Sequence, residues 1–142
     1  MKRLLKPVFF LFFLALPFVA CAQRVRLSEV YMFGAGINFA DSTVYLTAVQ
    51  RVDSVPLERS QGFLLNRYAY SDQLGRYLFV NAGKTNETCA VFFDTSRSKV
   101  EKQYLRLRRR FQKNKGLRIE EVPGDAFRFR AVSYTPRAVS QQ

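Results

Sequence analysis

The chain contains no histidine. That absence removes the Ser-His-Asp triad, the Cys-His pair, histidine-based zinc sites and the usual general base at neutral pH. Cysteine is almost as scarce. Of Cys21 and Cys89 only the second lies beyond the leader described below, so the processed chain can form no intramolecular disulfide and no thiolate zinc site. Cys89 falls in the strand-like run Thr88-Cys89-Ala90-Val91-Phe92-Phe93 and reads as a small buried apolar residue. Acidic residues are outnumbered, 11 against 23 Lys and Arg, for a formal charge of +12. Long apolar runs are missing too: Val8 to Ala20 is too short to span a bilayer.

What is present at the start is a leader. Met1 to Lys6 is a short basic stretch, Val8 to Ala20 an apolar core, and Ala20-Cys21-Ala22 fits small-x-small cleavage before Gln23. Residues 1–22 therefore read as a signal peptide. A rival reading cuts before Cys21 and lipidates it, although Phe18 stands where such a site usually has Leu. The remaining chain of about 120 residues suffices for one domain, assigned to residues 23–132, followed by a polar tail over residues 133–142.

The most informative stretch is Ser96 to Gly116, which reads as one amphipathic helix. At 100° per residue Val100, Tyr104, Leu107 and Phe111 fall within about 60° of one another, an apolar stripe suited to lying on a sheet. Lys99, Lys102, Arg106, Arg109, Arg110 and Lys113 fall on the opposite side. From Arg97 to Arg118 there are ten basic residues and one acidic residue, Glu101, a charge of +9. Without the leader's Lys2, Arg3 and Lys6 the whole chain also carries +9, so the rest is neutral by count.

Along the chain, Leu27, Tyr31, Phe33, Ala35, Ile37 and Phe39 share one parity, the period-2 signal of a strand with one buried face. Gly34 and Gly36 on the other parity suggest a bulge or a close backbone approach. Gly34-Ala35-Gly36 is no dinucleotide fingerprint, because Phe39 stands where the third glycine belongs and a strand follows. Ala40 to Thr43 reads as a turn, Val44 to Val52 as the second strand of a hairpin, and Val55-Pro56 as its end. Ser71 can cap a helix running to about Ala82, with Leu74, Tyr77 and Leu78 inward and Gly83 at its end. Cys89 to Phe93, nearly continuously apolar, reads as a central, doubly buried strand. Leu117 to Val122 reads as a fourth strand, joined to it by a parallel crossover through the basic helix. Phe127 to Val132 alternates as a candidate last strand. The order β-β-α-β-α-β(-β) predicts an α+β fold, a two-layer sandwich with two helices on one face of a mixed sheet.

For chemistry, only carboxylates remain. Asp94 with Glu101 or Asp72 is the one conceivable acid pair, but Asp94 sits where a helix favours a capping acid. Glu120 and Glu121, adjacent on a strand, point to opposite faces. Tyr68, Tyr70 and Tyr77 with Arg67 and Arg76 could stack on bases or sugars, or simply cover the sheet. Export argues against nucleic acid as the physiological partner. No cofactor or metal is implied.

Phe63-Leu64-Leu65-Asn66-Arg67, Tyr70-Ser71, Gln73-Leu74, Tyr77-Leu78, Thr88 to Phe93, and Glu101-Lys102-Gln103-Tyr104 with Leu107 together resemble a group of short exported Bacteroidota proteins without an assigned activity. The resemblance carries over no functional residues. It does imply that Asp41-Ser42-Thr43 and Asp53-Ser54-Val55 look like the tripeptides this phylum O-glycosylates, which makes Ser42 and Ser54 candidate modification sites. The Cys89 to Val122 unit alone resembles, at the level of fold, SPOR-type peptidoglycan-binding domains.

The leading expectation is a non-enzymatic exported cell-envelope protein, periplasmic or outer-membrane-associated. It would dock through Lys99, Lys102, Arg106, Arg109, Arg110 and Lys113 onto an anionic envelope component (lipopolysaccharide, lipid head groups or acidic glycan), or onto an acidic protein surface. The alternative is a peptidoglycan- or glycan-binding module using the sheet or its aromatics, and a third is an enzyme working through carboxylates alone.

Overall fold

A computed structural model describes residues 25–135 other than Asn86. The expected leader, residues 1–22 with Cys21, and residues 136–142 of the expected tail lie outside the described residues.

The architecture is decided by β1 (Val25–Asn38), in which no residue from Val30 to Asn38 is exposed. Along one edge it pairs antiparallel with two strands in succession: β2 (Thr43–Thr47) beside Ala35 to Asn38, and β3 (Gln50–Glu58) beside Val25 to Met32. The single second strand expected from Val44 to Val52 is thus broken after Thr47. At the break the Thr47 hydroxyl takes the place of a ladder carbonyl, accepting the Gly34 N–H at 2.8 Å. The strand then continues past Pro56, which was expected to end it. An edge strand tolerates proline because a missing outward N–H costs it no ladder bond. Opposite Glu29 the β3 backbone bulges at Asp53 and Ser54.

Along its other edge β1 pairs antiparallel with β4 (Thr88–Asp94), and β5 (Arg118–Val122) adds parallel to β2. The sheet is therefore mixed and five-stranded, and β4 and β5 run the same way with β1 and β2 between them. The expected parallel crossover is present. The placement of Cys89 to Phe93 at the centre is corrected: β4 is an edge strand, and β1 is the central one. In β4 Val91 is buried and Cys89 and Phe93 half-buried on the α1 side, whereas on the other side Phe92 is half-buried and Ala90 exposed.

The two helices, α1 (Arg67–Ala82) and α2 (Arg97–Lys113), cover opposite faces of this sheet. Val30 and Met32 meet Tyr70, Leu74 and Leu78 of α1, whereas Ala35 and Ile37, one parity over, meet Tyr104, Leu107 and Phe111 of α2. Phe33 stacks on Phe92 at a centroid distance of 4.9 Å and takes the edge of Tyr104 at 5.3 Å. The α+β class with a mixed sheet thus holds, but the layers number three, not two. The two glycines explain why. A Cβ on Gly34 would lie 2.7 Å from Leu74 Cδ2, and one on Gly36 2.7 Å from Leu78 Cδ1. The close approach read from their parity is the seat of α1, so a parity that looks empty in sequence is a packed face.

Helix α1 begins a turn earlier than expected. Asn66 takes the left-handed conformation before Arg67, while Ser71 lies inside the helix and donates its hydroxyl to the Tyr68 carbonyl. It ends at Gly83, as the sequence suggests, with φ 61°. Phe127 to Val132 joins no ladder, so the candidate last strand is corrected to a strap. Gln50 donates to the Phe127 carbonyl and accepts from Phe129 N–H, at 2.8 and 2.9 Å. Gln73 makes the same two-way contact with Arg130, both at 2.9 Å, and the Tyr70 hydroxyl accepts from Val132 N–H. Phe127 and Phe129 are thereby held in the α1-side core, packed edge to face at 4.8 Å.

Candidate functional site

Helix α2 is anchored at its start. The Asp94 carboxylate accepts the Ser96 N–H at 2.8 Å, the pre-cap role its position implied, and the Ser96 carbonyl begins the helix by accepting from Val100. Val100 is fully buried and Tyr104, Leu107 and Phe111 are half-buried on the sheet, so the apolar stripe sits where its period placed it. Burial holds the Tyr104 hydroxyl above its ordinary pKa.

The opposite side of α2 is water-facing. Lys99, Lys102, Arg106, Arg109, Arg110 and Lys113 are all exposed, and among the described residues none of them makes an ion pair. Their neighbours on the same helix differ: Arg97 pairs with Glu101 at 2.8 Å, and Arg108 reaches Glu121 of β5 at 2.7 Å. Lys102, Arg106, Arg109, Arg110 and Lys113 together line an open groove of about 540 Å³. Lys99 stands outside it, one turn towards the N-terminus. Like charges at i,i+4 here (Lys102/Arg106, Arg106/Arg110, Arg109/Lys113) oppose the helix by roughly 0.2–0.5 kcal/mol each. Arg110 and Lys113 in the last turn recover part of this through the helix dipole.

One member of the groove escaped the sequence reading. Leu105, 47% exposed, forms part of the groove wall. Its signal was its position, three residues after Lys102 and four before Arg109, off the apolar stripe and among the cations.

Among the described residues the three candidate carboxylates have separate partners: Asp94 accepts the Ser96 N–H before α2, Glu101 is held by Arg97, and Asp72 pairs with Arg76 at 2.8 Å. Glu120 and Glu121 do point apart, the first to Arg118 and the second across to Arg108. Cys89 is half-buried against α1. Burial, with Glu87 and Asp72 nearby, pushes its thiol up to about 11, which keeps it protonated and a poor nucleophile.

Ser42 and Ser54 are exposed, and both have positive φ, 55° in the β1–β2 turn and 59° in the β3 bulge. Asp41 accepts the Thr43 N–H within that turn and pairs with Lys84 at 2.6 Å, which lowers the carboxyl pKa. The Asp-Ser tripeptides therefore mark irregular surface backbone.

Both faces of the sheet are occupied where the strands are longest, by α1 with the strap and by α2. Its open remainder, around Glu29, Tyr31, Arg51 and Asp53, is a network of mutual polar contacts. No family model matches this chain, and no curated protein or solved structure matches it significantly. Among the described residues no helix is long and apolar enough to cross a membrane.

Proposed function

We propose that this is a non-enzymatic exported cell-envelope protein that docks through the outer face of α2 onto an anionic envelope component or a larger assembly. The observation that carries the reading is the selective pairing of charge. Arg97 and Arg108 on α2 have carboxylate partners, whereas the six outward cations have none among the described residues and five of them share one groove. A merely solvated face would be expected to intersperse acids with its bases. The leader-like residues 1–22 support an exported setting.

Each lysine or arginine brought near an anionic surface contributes about 1 kcal/mol, and the effect fades within a Debye length of about 8 Å at physiological salt. The test is co-sedimentation with phosphatidylglycerol vesicles, purified lipopolysaccharide and sacculi at low and high salt. The expected result is retention at low salt, release at high salt, and loss of retention in the variant Arg106→Glu/Arg109→Glu/Arg110→Glu with unchanged circular dichroism. Equal retention of that variant would sink the proposal. Saturable retention on sacculi that survives high salt would replace it with the glycan-binding reading.

A further inference from the structure

The groove on α2 is more than a set of charges. Its wall contains Leu105, a large apolar side chain left exposed on the outer side of the helix. Around it stand the aliphatic stems of Lys102, Arg106 and Arg109, three or four methylene carbons each, ending in a cation. The site is therefore amphipathic at the scale of one side chain, an apolar side chain flanked by aliphatic stems that end in cations. The groove lies along a single helix with no facing element, so it is open along its length.

A lone exposed leucine is ordinary on a protein surface. What sets this one apart is that the other residues lining its groove are all cations, so a partner must offer anionic groups around an apolar contact. An anionic bilayer satisfies both parts at once. Its phosphates meet the cations at the ends of their long stems, and the boundary between head groups and acyl chains accepts Leu105 between them, as for helices that lie in the membrane interface.

We infer that the partner of this face is the surface of an anionic phospholipid bilayer, with α2 lying in the head-group plane and Leu105 entering the acyl boundary. The inference rests on the anion-docking reading above and narrows it to one partner. The inward stripe of α2 stays on the sheet, so docking requires no unfolding. Insertion is limited to one side chain, and the charges remain indispensable.

The chain contains no tryptophan, so Leu105→Trp creates a single emission probe at the point of insertion, on an exposed position that does not enter the core. With phosphatidylglycerol vesicles at low salt the emission should shift to the blue, return on addition of salt, and stay unchanged with phosphatidylcholine vesicles. Leu105→Ala, which keeps every charge, should bind phosphatidylglycerol vesicles about three- to tenfold more weakly and bind soluble polyphosphate as the parent does. Vesicle binding without a spectral shift would overturn the inference and leave electrostatic docking standing. Binding to polyphosphate or sacculi but not to vesicles would do the same. Absence of binding to all of these would overturn both.

Discussion

Replacing Gly34 by alanine asks whether α1 is seated on the glycines of β1. The new methyl carbon would lie 2.7 Å from Leu74 Cδ2 and 3.0 Å from Phe129 Cζ, both on buried side chains, with the Ala90 carbonyl 3.6 Å away. The first two distances are closer than carbon atoms approach without displacement, so either α1 lifts or Leu74 and the strap repack. Overpacking of this kind costs roughly 1–3 kcal/mol. For a domain of this size that is a fall in Tm of about 4–12 °C. Gly75 supplies the control, since a Cβ there would find its nearest neighbour, Cys89 Sγ, at an ordinary 3.8 Å. Gly75→Ala in the interior of α1 should stabilise by up to about 1 kcal/mol through helix propensity alone. Urea denaturation of both variants reads the two signs. A cycle with Leu74→Ala, itself expected to cost about 2–5 kcal/mol, tests the contact directly. The double variant should lose less than the sum of the singles by about 1 kcal/mol, because truncating Leu74 removes the nearer clash. A Gly34→Ala protein as stable as the parent would refute the seating.

The other expectations concern the strap and the thiol. Gln50→Ala removes both hydrogen bonds from Gln50 to the strap and should cost about 1–3 kcal/mol; trypsin should then cut at the exposed Arg128 and Arg130 sooner than in the parent, and equal cutting times would mean that the aromatic contacts alone hold the segment. Cys89, with its pKa raised from 9.0 to about 11, should be alkylated at pH 8 about a hundredfold more slowly in the folded protein than in denaturant. Because the folded state keeps this proton to higher pH than the unfolded one, the associated stability is present below about pH 9 and is lost between there and about pH 11. Equal alkylation rates folded and unfolded would contradict the burial of the thiol.

The basic helix was legible because its information is local. Val100, Tyr104, Leu107 and Phe111 repeat at helical spacing, and the cations fall on the other side by the same geometry. Leu105 was not legible as part of the site, since periodicity sorts it with neither face. The sheet was read less well, for a physical reason. An apolar run such as Cys89 to Phe93 records contact of side chains with neighbouring layers, here only partial on the Ala90 and Phe92 side, and not the number of a strand's ladders, so it could not distinguish an edge strand from a central one. The opposite placement of the helices was hidden by Gly34 and Gly36, which mark a contact by having no side chain. The strap's alternation was visible in Phe127 and Phe129, but its attachments come from Gln50, Tyr70 and Gln73, more than fifty residues earlier, and nothing local announces them.

With a charge of +9 counted on Arg97 to Arg118, the rest of residues 23–142 neutral by count, and α1 with the strap on the other face, the centre of charge is displaced from the centre of mass across the thickness of the sheet. In the field of an anionic surface such a molecule experiences a torque before it makes contact. It arrives turned, α2 foremost, with fewer unproductive collisions than a uniformly charged protein of equal size. The α1 side, carrying the exposed Tyr68, Phe79 and Val80, is then left facing away from that surface. Orientation of the whole domain, and with it the choice of what it presents outward, thus follows from which of two helices received the arginines.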